Sequence, residues 1–303
     1  MAAALITSLA PIKLNSTVLA TAGLGLSPDI AQTALRHSGN LYPSVLAVAG
    51  SSPQIRFRTP FWPAYSLIGI GNGPLKCTAF EVYFAKFIDA TRQTGAVHPK
   101  LSLATSALGM SYITGASVDQ NGILMADVTV MLLSNDGMTH PLARADTGTI
   151  PALGSEPLLH SLGPVTINGT TIAGSQSATM DMGVQIQALP TDGDIYPRVC
   201  GALGHGRKLS IGFADPATLL GGIGLLGANI ASSTIQYFRE YDATTQVKKT
   251  TGLSLTIASG RIMPDSWTSD NLQVAQSGLT ITPLSATTTD PFQFASGASI
   301  PTP

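Results

Sequence analysis

The chain says much the same thing twice, and this repetition constrains its fold more than any other feature. Residues 5–20, LITSLAPIKLNSTVLA, align without a gap with residues 158–173, LLHSLGPVTINGTTIA. Seven of the 16 positions are identical, among them Pro11/Pro164, Asn15/Asn168 and Thr17/Thr170, and four more exchange Ile, Val or Leu for one another. The offset of 153 is close to half of the 303 residues. Other landmarks recur in the same order: YPSV at 42–45 and YPRV at 196–199, Tyr83-Phe84 and Tyr237-Phe238, LSL at 101–103 and at 253–255. VTV at 128–130 answers LTI at 279–281, and HPLARADTGTIP at 140–151 answers DPFQFASGASIP at 290–301. An ordered set of landmarks at a nearly constant offset predicts the tandem duplication of one unit of about 150 residues, an ordinary domain size. Copy 1 would span residues 1–151 and copy 2 residues 152–303, with 152–160 as the join.

Two copies allow each segment to be read twice. IKL-NS-TVLA and VTI-NG-TTIA are β-branched runs around Asn-Ser and Asn-Gly, residues that accept the positive φ of a two-residue hairpin turn, so each unit opens with a β-hairpin. FEVYFAKFID at 80–89 fits helix or strand, but its copy STIQYFREYD at 233–242 keeps the β-formers and loses the helical stripe, which predicts a strand. A second long strand around LSLATSALGMSYI and LSLTIASGRIM would complete a long hairpin in each unit. TPFWPAYSL and DPATLLGG, with Thr59 or Asp215 as cap and Pro60 or Pro216 at the first helical position, predict one short helix per unit. The expected fold is therefore mainly β: two tandem homologous domains, each a β-sandwich or open barrel with one short helix and a long β-hairpin.

Composition narrows the classes. Only 11% of residues are charged, against roughly 25% in an ordinary soluble protein, and mean hydropathy is +0.26. So little charge favours a chain that buries surface in partners, as an obligate oligomer does. No run of about 18 apolar residues is present for a membrane-spanning helix. MAAALITSLAP lacks a basic leader segment, so no secretory signal is expected and assembly in a cytosol is. The net charge of −1 divides into 9 bases and 7 acids in residues 1–151, then 7 bases and 10 acids in 152–303, without the basic excess that gripping nucleic acid demands.

The chemistry-bearing residues form no recognisable set. GIGLLG at 222–227 fits Gly-x-Gly-x-x-Gly but lacks the strand and full helix that aim a helix N-terminus at a pyrophosphate, and reads as a Gly-rich connection. His37, His98, His140, His160 and His205 lack metal-ligand spacing, Cys77 and Cys200 are non-equivalent packing residues, and no acid pair or nucleophile elbow stands out. Neither an enzyme, a cofactor nor a metal is expected. The Asn-x-Thr sequons at Asn15 and Asn168 are explained by the turns.

The duplication, the strand order, the landmarks Tyr83-Phe84 and Tyr237-Phe238 and the low charge together resemble the tail tube proteins of long-tailed bacteriophages. The resemblance covers the whole chain at the level of architecture and rests on no short motif. It implies a structural virion protein that stacks rings into the conduit for genome ejection; with two fused units, three chains would make a pseudo-sixfold ring. It also implies assembly in the host cytoplasm into the virion tail, contacts with tape-measure and tail-terminator proteins, and DNA passing without specific binding. On this reading ring or inter-ring contacts would involve Tyr83, Phe84, Arg92, Lys100, Tyr237, Phe238, Lys248 and Lys249, and the bore would be lined by acids such as Asp119, Asp127, Glu240 and Asp270. A tandem adhesin or carbohydrate-binding module is the alternative, with Phe61, Trp62, Tyr112 and Trp267 as aromatic platforms.

Overall fold

The computed structural model describes residues 5–35, 45–60, 75–88, 91–92, 98–152, 158–172, 174–191, 193–214, 227–242, 245, 247–265, 277–285 and 290–302. Among these residues every regular element is a strand. β1 (Leu5–Leu14) turns at Asn15-Ser16 into β2 (Thr17–Leu19), and Asn15 adopts a φ of 52°. β8 (Phe80–Ile88) pairs with the other side of β1, followed by β10 (His98–Leu103) and β13 (Leu142–Gly148), while β9 (Thr91–Arg92) pairs back on β8. The first sheet thus runs β13-β10-β8-β1-β2.

A second sheet is built from β14 (Leu159–Ile167), β15 (Thr170–Ile172), β21 (Thr234–Asp242), β22 (Val247–Ile257) and β25 (Gln293–Ser299), in the order β15-β14-β21-β22-β25. Its path is the same as that of the first. Its opening turn holds Asn168 at φ 49° and Gly169 at φ 85°. In both turns the asparagine Oδ1 caps a distant strand start: Asn15 accepts from the N–H groups of Thr78 and Ala79, Asn168 from those of Ala231 and Ser232. Both opening strands also slip register at a bulge, between Leu9 and Ile12 in β1 and between Leu162 and Val165 in β14.

The third sheet has ten strands. Its path is β20 (Ala228–Asn229), β23 (Gly260–Pro264), β24 (Ser277–Pro283), β19 (Lys208–Phe213), β16 (Ser175–Asp181), β11 (Leu108–Asp119), β12 (Met125–Leu133), β6 (Gln54–Thr59) and β3 (Gly23–Ser27), with β7 (Leu75–Cys77) on β11. The sheet crosses the 151/152 join where β11 pairs with β16, Ala116 opposite Met180 and Val118 opposite Ala178. Two further hairpins, β4 (Ile30–Leu35) with β5 (Val45–Ser51) and β17 (Val184–Leu189) with β18 (Val199–His205), stand apart as two-stranded sheets.

Strand alternation explains the packing. β6 buries Ile55, Phe57 and Thr59 and exposes Arg56 and Arg58; β16 buries Ala178 and Met180 and exposes Thr179 and Asp181. The inward faces of all three sheets meet in one hydrophobic cluster that includes Ile12 and Phe80, Phe57 and Ile211, and Phe238 and Leu255. This is sandwich packing, with both halves of the chain sharing one core.

Two expectations need correction. The second strand of each long hairpin is not continuous: after Leu103 the chain turns through Ala104–Ala107, with Ser106 at φ 62°, and re-enters the ten-stranded sheet as β11. β22 likewise ends at Ile257, and β23 begins in the ten-stranded sheet at Gly260. Short residues at these corners, Ala-Thr-Ser-Ala and Ala-Ser-Gly, let one run of β-formers serve two layers. The short helices are not supported: Thr59, expected as a cap, is the buried last residue of β6. The rest of that segment, 61–67, and its counterpart at 215–222 lie outside the described residues.

Candidate functional site

The residues singled out for assembly fall into different environments. Tyr83 is buried on β8 and donates its hydroxyl to Glu81 Oε2 at 2.6 Å; Phe84 is half-buried against the core. Phe238 is fully buried and leaves no side-chain surface for a neighbour, whereas Tyr237 is half-buried. Lys100 reaches Glu81 Oε1 at 2.7 Å and Lys13 approaches Oε2 at 3.8 Å. Burial pushes the Glu81 carboxyl up, but hydrogen bonds from Lys100 and Tyr83 and the two ammonium charges outweigh it, and its pKa falls below the usual glutamate value. Burial first, then the bond to Glu81, raises the Tyr83 phenol to about 12. Lys249 pairs with Glu240 at 2.6 Å, which raises its pKa, and Lys248 beside it is exposed. Arg92 lies on β9, with Phe87 opposite.

The second long hairpin projects from the body. The first five residues of β22, Val247–Thr251, are all exposed, while Gly252–Leu255 are buried. The β4–β5 and β17–β18 hairpins carry no Lys, Arg, Asp or Glu in their strands, yet Ile30, Val48, Leu189, Val199 and Leu203 are exposed on them. Sequence reading missed these hairpins; the signal was present in the runs IAQTAL, VLAVAGS, VQIQAL and VCGALGH, apolar and uncharged yet alternating too weakly to mark a buried face. The tip of β17–β18 docks within the chain: Gly137 C=O accepts from Ile195 and Tyr196 N–H at 2.9 Å, and His140 meets the Tyr196 ring edge to face.

The face of the ten-stranded sheet turned away from the core is apolar at half-buried Met110 and buried Tyr112 and Met131, where Cys200 of β18 packs 3.7 Å from Met110, and polar over the rest. Among the described residues it carries five bases, Arg56, Arg58, Lys76, Lys208 and Arg261, and four acids, Asp119, Asp127, Asp181 and Asp265. Arg58 Nε meets Asp127 Oδ1 at 2.9 Å, and Ser210, Thr280 and Asp265 form a hydrogen-bonded row. Two of the four lining candidates, Asp119 and Asp127, therefore sit on one broad face; Glu240 belongs to the β15-β14-β21-β22-β25 sheet, and Asp270 lies outside the described residues. The aromatic-platform alternative loses Tyr112, which is only 7% exposed, and its other residues, Phe61, Trp62 and Trp267, lie outside the described residues.

A buried ion pair was also missed. Arg207 and Asp290, both almost fully enclosed, pair between the β18–β19 turn and the start of β25, with Arg207 over the Phe292 ring at 5.5 Å. Burial lowers the Arg207 pKa and Asp290 opposes the shift. Nothing in local spacing reveals a partner 83 residues away.

Among the described residues no three His, Cys, Asp or Glu side chains gather as a metal site, and no helix is long and apolar enough to cross a membrane. No protein-family model matches the chain, and no curated protein matches it in sequence.

Proposed function

We propose that the chain is a tandem duplication of one tube-type β unit and a structural virion protein, the tail tube subunit of a long-tailed bacteriophage. Three chains close a pseudo-sixfold ring, and rings stack into the conduit for DNA ejection. The observation that carries this reading is the identical path of the two smaller sheets, down to the bulge and the asparagine turn, combined with a ten-stranded sheet that runs from one half into the other. The same side-by-side contact repeated head-to-tail between chains generates a ring where its rotation closes. The uncharged exposed hairpins support the same reading, because such surface is costly for a free monomer.

In this assignment the polar face of the ten-stranded sheet lines the bore, and the exposed start of β22 contacts an adjacent ring. Tape-measure and tail-terminator proteins are the expected partners, assembly takes place in the host cytoplasm, and the product resides in the virion tail. Negative-stain electron microscopy of the purified chain, with native mass spectrometry, tests the proposal: rings or tubes built from threes of the chain are expected. Compact monomers, or rings of six chains, overturn it.

A further inference from the structure

We infer that the β4–β5 hairpin of one chain lies on the outer face of β23 and β24 in a second copy, around Met263 and Leu284, as β17–β18 lies on β11 and β12 within a single chain. The inference rests on the head-to-tail ring reading above and supplies a specific contact between its chains.

β4–β5 and β17–β18 are one hairpin written twice. Ala34 pairs with Leu46 as Ala188 pairs with Cys200, and Leu35 with Val45 as Leu189 with Val199. Each ladder slips register once and at the same place, between Ala31 and Gln32 and between Gln185 and Ile186. Their coverage differs. In β17 the alternate residues Val184, Ile186 and Ala188 are half-buried, and Cys200 Sγ lies 3.7 Å from Met110 Sδ. Ile30, Gln32 and Ala34, in the same places on β4, are all exposed. One hairpin is seated and its twin is bare, although a two-stranded hairpin with no covered face is marginal in water.

The seats differ in the complementary sense. β23 lies on β24 as β11 lies on β12, with Met263 opposite Thr280 as Tyr112 is opposite Thr129, and Gly260 opposite Pro283 as Gly109 is opposite Leu132. Leu284, the next residue after Pro283, therefore stands where Leu133 stands. Leu133, which lines a small cavity with Arg198 and Val199, is 8% exposed, and Tyr112 is buried. Leu284 is 62% exposed and Met263 42%. The exchanges between the copies match as well. Ile186 of the seated hairpin is Gln32 in the bare one, and Met110 and Met131 beneath the seated hairpin are Arg261 and Thr282 on the open face. The hairpin gains a hydrogen-bonding side chain where the face gains two, so β4–β5 suits the second half's face better than the first's.

A single chain cannot make this contact with itself. β4–β5 springs from β3 and β6 at one end of the ten-stranded sheet, and β24 lies beyond four intervening strands, about 24 Å away at the usual strand spacing. The hairpin must come from a second copy, and because hairpin and face are different surfaces the contact is head-to-tail.

The test uses the full chain. Ala34→Cys and Met263→Cys chains are co-expressed and treated with a short bismaleimide; a cross-linked pair of chains is expected on a denaturing gel, above the level given by either variant alone, which controls for the native Cys200. Leu284→Asp is expected to keep the wild-type circular dichroism and melting, because residue 284 stands in water in the single chain, and to run as one 31.2 kDa chain where the wild type forms rings. The cross-link reads the contact whether or not L284D folds. Rings that yield no cross-link above the single variants, or folded L284D that assembles like the wild type, overturn the hairpin seat and leave the ring reading standing. A wild-type chain that is monomeric overturns both.

Discussion

At the scale of single residues, the two opening asparagines each tie a hairpin turn to a distant strand start. Asn168 supplies a left-handed backbone that other side chains resist, and its Oδ1 accepts from two amides some 60 residues away, Ala231 at 2.8 Å and Ser232 at 3.2 Å. Asn168→Ala removes both bonds and keeps the strained backbone, so chemical denaturation should show a loss of roughly 1–3 kcal/mol. Asn168→Gly loses the bonds but relieves the backbone, and should cost less. Glu81 gives the pH dependence. Its pKa is depressed in the folded chain, so its contribution is complete above the unfolded value of about 4.3 and disappears as pH falls through the folded value. Denaturation midpoints measured from pH 6 downward should therefore drop less steeply below about pH 4.3 in Glu81→Gln than in the wild type.

At the scale of elements, legibility in the sequence followed how local the cause was. The Asn-Ser and Asn-Gly hairpins and the strands at 80–88 and 234–242 were readable because turn chemistry and β-former content are written in adjacent residues. The break within LSLATSALGMSYI was not, since Leu101–Leu103 and Leu108–Ile113 share the same composition and only tertiary pairing sends them to different sheets. Nor was the Arg207–Asp290 pair, whose partners meet only when β19 and β25 are in place. Breaking that pair leaves a buried guanidinium without its counter-ion. Asp290→Asn should cost about 3–5 kcal/mol in an unfolding titration, and an Arg207→Met/Asp290→Leu double variant should recover most of it. The candidate site was legible only in part: the sequence marked Asp119 and Asp127, but it placed Phe238 at an interface when the β21 alternation turns that ring into the core. The exposed start of β22 yields a further expectation. Val247→Asp should leave rings intact and shorten tubes in electron micrographs, and unchanged tube length would remove this hairpin from the inter-ring contact.

At the scale of the whole molecule, the proposed bore is defined by what it fails to grip. Phosphate binding strengthens with each Lys or Arg it engages, so a conduit for DNA works best when its cations are few or already paired. An acidic excess is not what the ten-stranded sheet presents on its polar face. The balance of five bases and four acids is close to neutral, and Arg58 is held by Asp127 at 2.9 Å, so near-neutrality stands in place of repulsion by acids. Ser, Thr and Gly fill the positions between, as at Ser117, Thr179 and Ser210. Purified tubes should accordingly bind duplex DNA negligibly at moderate salt. Replacing Ser117, Thr179 and Ser210 with Lys adds three cations per chain on adjacent strands of that face, at the cost of the Ser117 bond to Arg58 and the Ser210 bond to Thr280. The variant tubes should assemble, hold DNA, and release it with rising salt, the logarithm of affinity falling by about 0.9 per logarithm of salt for each phosphate newly engaged. Fluorescence anisotropy with a short labelled duplex over a salt series measures this slope. If the triple variant gains no salt-dependent affinity while an equal number of lysines on the outer β25 strand does, the polar face of the ten-stranded sheet is not the surface that DNA meets.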